Sequence, residues 1–354
     1  MSEPQTKKAK TEVEEGILFG YGNPLLDISV TCDKAFLDKY GLEANNAILA
    51  DEKHVPMYQD IADTYGDEVQ YIPGGATQNS IKIAQWLLGT KNATTFTGCI
   101  GQDKFGQILE KKCTDLGVNC RYQYTTAEKT GTCAVLVTGA DRSLCAYLAA
   151  ANAFTKDHLE KSDNWAFVEK AAYFYISSFP LTVCPEALLD IGQHANKTNK
   201  VFLLNLSAPF LCDFFAEPMM KVMPYVDVLF GNETEAVAFS KKQNLGTEDV
   251  AEIALAAAKL PKENKERARM VVFTQGENPT IVAYEGKTTS YPVIPLKPEE
   301  LVDTNGAGDA FVGGFLAQYV QEKATEECIR CGNYTANLVI KRSGCTFPEK
   351  PDFH

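Results

Sequence analysis

Leu301 to Tyr319 reads LVDTNGAGDAFVGGFLAQY, and the rest of the chain is organised around this stretch. A short apolar approach ends in Asp303, Gly306-Ala307-Gly308 follows, and after Asp309 comes an apolar run that reads as a packed helix. Glycines leave backbone N–H groups uncovered, and a helix start adds orphan donors and the positive end of the dipole. Together these make an anion cradle suited to phosphate or to a developing phosphoryl charge. Asp309 stands inside it. The blander reading of the aspartate is an ordinary helix N-cap.

Outward from this stretch, strands alternate with helices. Strand-like runs occur at 93–101, 171–179, 200–209 and 269–276, with amphipathic helical runs between them and a last one at 327–342. Such alternation predicts βαβ units and a mostly parallel α/β sheet with helices on both faces. Segments 32–72 and 122–148 fall outside the rhythm, the second with a hairpin signal at Gly139-Ala140-Asp141. The two insertions are expected to meet as a small β-rich lid over the carboxyl ends of the strands, where ligands bind in open α/β sheets. The large α/β catalytic domain is then 16–31, 73–121 and 149–354, preceded by a basic tail, 1–15, expected to be disordered.

The chain has 354 residues and a formal net charge of −12, which argues against a dominant nucleic-acid surface. No run reaches membrane-span length, so no membrane partner is expected. Eleven scattered cysteines without scaffold spacing suggest reduced thiols in the cytoplasm. Cys328-Ile-Arg-Cys331 lacks a second pair or histidine to complete a zinc site. Lys7, Lys8 and Lys10 form a basic cluster that also suits a nuclear address.

Other stretches carry polar groups where a site belongs. Asp27 lies among apolar neighbours in ILFGYGNPLLDISV, a costly place for a carboxylate without a partner. Its two oxygens could accept from both hydroxyls of a vicinal diol, or it could stabilise a turn. Gly74-Gly75 permits close backbone approach, and Asn79 follows at a helix start. Apolar runs end in Asn205 and Ser207, in Asn232 and Glu235, and in Thr274 and Gly276. Asn232 and Glu235 suit either magnesium with its waters or a capping box. Neither a P-loop nor a strand ending in G-x-G-x-x-G is present.

Asp303-Thr304-Asn305-Gly306-Ala307-Gly308-Asp309 resembles the D-T-x-G-A-G-D signature of the ribokinase-like (PfkB) carbohydrate kinases. Gly74-Gly75 with Asn79 is similar to that family's N-terminal glycine motif, and Asn232-Glu233-Thr234-Glu235 to its N-x-x-E motif. The similarity extends over nearly everything after residue 15. Within the family it is greatest to members that phosphorylate adenosine, carried by Gly22–Asp27, Leu206–Pro209, Phe230–Glu235 and Phe347–His354.

The resemblance implies a ribokinase-like fold and ATP-dependent phosphorylation of the adenosine 5′-hydroxyl, giving AMP and ADP, by a monomer. It implies Asp309 as base, with Gly306, Ala307 and Gly308 as the anion hole and Arg142 as a lid arginine reaching the transferred phosphate. Such an aspartate is expected to stay ionised without a raised pKa. Asn23, Asp27, Gly74, Gly75 and Asn79 would hold the ribose. Leu25, Leu49, Leu144, Ala146 and Phe179 would surround the purine, although core packing is an equal reading of the residues themselves. Asn232, Thr274, Gly276, Asn305 and Asn333 would serve ATP, and Glu235 with Asn232 would organise Mg2+ through water; a monovalent cation is left open. Ala76 departs from the serine the family often carries, and Asn333 from a histidine found in relatives. The rivals are a sugar kinase of the same fold, a nucleoside-binding protein without catalysis, and nucleic-acid binding through the tail.

Overall fold

The computed structural model describes residues 13–43, 47–139 and 141–354, the side chains of 47, 141 and 142 excepted. Lys7, Lys8 and Lys10 therefore lie outside the described residues. Sixteen strands are numbered here in chain order. Nine form the large sheet: β1 (Leu18–Tyr21), β5 (Thr94–Thr97), β7 (Asn119–Cys120), β11 (Tyr173–Ser177), β12 (Val201–Asn205), β13 (Val228–Asn232), β14 (Met270–Gln275), β15 (Asn278–Tyr284) and β16 (Lys287–Tyr291). Their spatial order is β16-β15-β14-β13-β12-β11-β1-β5-β7. From β14 to β7 every pairing is parallel, and β15 and β16 close the other edge as antiparallel strands.

Alternation along these strands feeds two cores. Phe174, Ile176, Phe202 and Leu204 face one, while Tyr175, Leu203, Val228 and Phe230 face the other. Strands buried on both sides read as continuous apolar runs, the pattern seen in the sequence. The Ala307–Tyr319 helix is apolar nearly all round because it is wedged between the sheet and two helices, Ala76–Leu88 and Thr325–Val339.

The small sheet has the order β3-β10-β9-β2-β4, from β2 (Leu25–Thr31), β3 (Ala47–Leu49), β4 (Gln70–Gly74), β9 (Thr132–Thr138) and β10 (Asp141–Tyr147). A short parallel pair, β6 (Cys99–Gly101) and β8 (Gln123–Thr125), lies between the sheets in the chain. The chain leaves the large sheet after β1 and enters the small one within three residues, Gly22 to Pro24. Segments distant in sequence do meet here, since β3 pairs with β10 and β2 with β9. One face is covered by the Lys34–Tyr40 and Met57–Tyr65 helices, burying Ile28, Val30, Leu136 and Cys145. Its opposite face carries the intervening residues, Asp27, Leu49, Leu144 and Ala146, none of them fully buried.

Candidate active site

The cradle forms at the start of the Ala307–Tyr319 helix. Gly306 is the N-cap residue, with φ +76°, and no side chain caps the helix. Asp309 is the third helical residue, so the N-cap reading of it fails. Asp303 shapes the loop instead, one oxygen accepting from Asn305 N–H (3.0 Å) and the other from Gly344 N–H (3.0 Å). The Ala307 N–H turns back to the Thr304 carbonyl (3.2 Å). Those of Gly306, Gly308 and Asp309 meet no protein acceptor among the described residues. A Cβ built on Gly308 would meet nothing within 4 Å, so the space above those donors is open.

Asp309 is tied to the acceptor side. Asn79 Nδ2 donates to its carboxylate at 3.0 Å, and Ser80 Oγ donates to its carbonyl at 2.9 Å. Its carboxyl is pushed up to about 6, because burial outweighs the Asn79 hydrogen bond and the nearby Lys82 charge. The sequence expectation of an unraised aspartate is corrected here. At neutral pH the group is still mainly ionised.

Three polar groups near it await partners. The side-chain Oδ1 atoms of Asn23 and Asn79 are buried and accept no hydrogen bond from the described residues. Asp27 accepts none among the described residues either, and its carboxyl is pushed up to about 7, chiefly by burial. Gly74 and Gly75 are required by space. A Cβ on Gly74 would lie 2.6 Å from the Asp27 carboxylate; one on Gly75, where φ is +93°, would lie 2.2 Å from the Asn23 carbonyl.

Register places Asp27, Cys133, Ala146 and Leu49 in one row across β2, β9, β10 and β3. Leu144 stands two residues from Ala146 on the same face, and Leu25 two from Asp27. Leu49 is 69% exposed on that face. Phe179 approaches from the turn after β11 and packs on Phe210, with ring centroids 6.2 Å apart. Arg142 lies on β10 opposite Val137, and its side chain is not among those described.

On the other side of the cradle, Asn232 and Thr274 are register partners at the ends of β13 and β14. Asn232 Oδ1 accepts from Glu235 N–H (2.8 Å), while Glu235 accepts from the Asn232 backbone and amide, both at 3.0 Å. The capping box is thus real. Burial pushes the Glu235 carboxyl up to about 7. Thr274 Oγ1 donates to Gly231 O at 3.5 Å, and Gly276 (φ +56°) lies in open space. Asn305 is exposed beside the cradle. Asn333 is farther round, its amide donating to the Pro292 carbonyl at 3.1 Å.

A family model described as pfkB family carbohydrate kinase matches residues 34–352. The chain belongs to that family. Adenosine kinase 2 of Arabidopsis thaliana is 54% identical over 340 residues, covering 96% of this chain and 98% of its own. The Schizosaccharomyces pombe adenosine kinase is 44% identical over 334 residues, 94% of this chain and 96% of its own. Among solved structures, Anopheles gambiae adenosine kinase in complex with P1,P4-di(adenosine-5) tetraphosphate superposes with a TM-score of 0.87 at 50% identity. It covers 96% of this chain and 100% of its own. Schistosoma mansoni adenosine kinase in complex with adenosine and AMP gives 0.84 at 35% identity, covering 95% and 98%. The ribokinase-like α/β fold with a smaller mixed sheet, expected from the motifs, is the one this PfkB kinase has.

Four residues of this PfkB chain's site escaped the sequence reading. Cys133 sits between Asp27 and Ala146 only through strand register. Phe210 follows a helix-starting proline, where nothing in the sequence points at Phe179. Ser80 and Lys82 looked like ordinary members of an amphipathic helix; their spacing from Asn79 is the one signal that could have found them.

Proposed function

We infer that this protein transfers the γ-phosphoryl group of ATP to the 5′-hydroxyl of adenosine, giving AMP and ADP. The observation that carries the assignment of residues is the set of unsatisfied groups around Asp309. Asn23, Asp27 and Asn79 present acceptors without donors, at the place where a ribose would bring hydroxyl donors. In this reading Asp27 takes the 2′- and 3′-hydroxyls, and Gly74-Gly75 lets the sugar ring lie against backbone. The purine occupies the space between the face bearing Leu25, Leu49, Leu144 and Ala146 and the Phe179–Phe210 pair.

The step follows from the geometry. The 5′-oxygen forms a bond to the γ-phosphorus as the bond from phosphorus to the β–γ bridging oxygen breaks. Asp309 receives the 5′-hydroxyl proton, and ADP departs. Phosphoryl transfer has a loose transition state, so orientation and charge stabilisation supply most of the rate. The free N–H groups of Gly306 and Gly308 face the charge that develops on the phosphoryl oxygens, and Ala307 holds the turn that aims them. Asn305, Thr274 and Gly276 border the nucleotide, Asn333 lies toward its base, and Arg142 would reach the phosphate from β10.

The donor set around Asn232 and Glu235 fits Mg2+ held through its own waters. Both Glu235 oxygens already accept one hydrogen bond, and each keeps a lone pair for a water but little room for a direct metal bond. The bound ion would neutralise charge on the β- and γ-phosphates. The small sheet acts as the lid and closes over the cleft to exclude water; it is wider than the segments 32–72 and 122–148 read from the sequence, because β2 (Leu25–Thr31) is one of its strands and β4 runs to Gly74. The protein works as a monomer in the cytoplasm, with a nuclear fraction addressed by Lys7, Lys8 and Lys10. Sedimentation, and the distribution of a variant with those lysines changed to alanine, test these two points.

Side-by-side assays of adenosine, inosine and ribose with ATP and Mg2+ test the substrate assignment. Adenosine is expected to turn over at least an order of magnitude faster than the others in kcat/KM. Rapid ribose turnover with inert adenosine would overturn it in favour of a sugar kinase.

A further inference from the structure

Lys82 has no part in the cradle, the ribose contacts or the metal shell, yet it is only 1% exposed. It stands in the Ala76–Leu88 helix, three residues after Asn79, so the two share a face. Its ammonium donates to the Pro73 carbonyl at the end of β4, one residue before the glycine against which Asp27 packs. The same helix turn grips both halves of the site. Gln78 donates to Gly74 O (2.8 Å), while Asn79 and Ser80 hold Asp309. An ammonium buried this deeply is retained only where opposite charge compensates it.

That charge comes from several elements. Asp27 arrives from β2, Asp309 from the cradle helix, and Lys82 lowers both carboxyls. Asp303, from the loop before the cradle, acts with Asp309 to raise Asp27. Tyr175 on β11 and Glu235 on the Glu233–Gln243 helix also face Asp309, as does Cys345 from the C-terminal segment. Every one of these neighbours is an acid. Among the described side chains, Lys82 is the cation that acts on Asp27 and Asp309 alike.

We propose that Lys82 is a positioning residue for phosphoryl transfer: its ammonium, anchored on Pro73, favours the carboxylate forms of Asp27 and Asp309. One carboxylate can then keep the ribose hydroxyls while the other takes the 5′-proton. Without the buried charge, the two would compete for a proton as closely placed carboxylates do. This role rests on Asp309 being the base.

The test is the pH profile of kcat/KM for adenosine from pH 5 to 9 in Lys82→Met and Lys82→Arg. In Lys82→Met the acid limb moves up by about one unit, about a tenfold loss at pH 5 that disappears by pH 9. In Lys82→Arg, which keeps the charge, the limb stays where the unaltered enzyme has it. An equal loss at every pH in Lys82→Met would mean packing alone and would overturn the proposal. A second measurement needs no variant to fold. In the unaltered protein labelled with 13C-lysine, the Lys82 Cε resonance moves between pH 5 and 8 as the carboxylates beside it titrate, and a flat resonance overturns the proposal. Failure of the base assignment shows separately, as full activity in Asp309→Asn whatever Lys82 does.

Discussion

Gly75 and Asp309 show how little freedom single positions have in this site. A methyl group on Gly75 would press on the Asn23 carbonyl and force a left-handed backbone on a residue that resists it. Gly75→Ala is therefore expected to raise the adenosine KM at least about tenfold, the scale on which small displacements of a bound substrate are felt. Titration calorimetry and steady-state kinetics read this directly. Asp309→Asn keeps shape and loses the base. Turnover should fall by about two orders of magnitude or more with adenosine binding largely retained, and unchanged turnover would remove Asp309 from the mechanism. In the unaltered enzyme the base must be ionised, so activity declines as pH drops through about 6, the value to which burial pushes Asp309.

At the scale of elements, two features can be separated from catalysis by stability. The Asn232–Glu235 capping box closes the first turn of the Glu233–Gln243 helix. Asn232→Ala should cost about 1 kcal/mol, the usual price of a lost N-cap, seen as a lower denaturant midpoint. It should also raise the Mg2+ concentration for half-maximal rate; a stability loss with unchanged Mg2+ dependence would leave only the cap. Leu49 behaves oppositely. Being 69% exposed, it adds little to the unliganded fold, so Leu49→Ala should leave the thermal midpoint nearly unchanged. The adenosine KM should nevertheless rise about tenfold, as expected for an apolar side chain buried only when ligand and lid close on it.

Across the whole molecule, the site stores electrostatic strain that the ligands relieve. Asp27 and Glu235 are raised to about 7 and Asp309 to about 6, from ordinary values of 3.8, 4.5 and 3.8. A carboxyl with a raised folded pKa binds its proton more tightly in the folded state, so the fold loses stability as pH climbs from about 4 to about 7. Asp309→Asn removes one such group. Without ligands, its thermal stability should match that of the parent near pH 4 and exceed it at pH 7.5 by about 1–2 kcal/mol, after allowance for the partly solvent-facing carboxylate. Melting curves at both pH values check this, and a variant less stable than its parent at pH 7.5 would contradict it.

Much of the protein is determined locally and was legible in the chain itself. Apolar runs of strand length alternating with amphipathic helices dictate a covered parallel sheet, because no other arrangement buries them. DTNGAGD dictates a glycine-opened helix start, and NETE a capping box, since both depend only on residues a few positions apart. What joins the pieces is not local. The row Asp27–Cys133–Ala146–Leu49 exists only because β2, β9, β10 and β3 pair in that register. Asn79 reaches Asp309 across 230 positions of sequence. Lys82 belongs to an amphipathic helix, and only tertiary packing buries it. The sequence by itself determined the glycine-opened helix start, the capping box and the strand–helix alternation; the tertiary structure decided which polar groups share a low-dielectric space, and with it the raised acid pKa of Asp309 that no local pattern foretold.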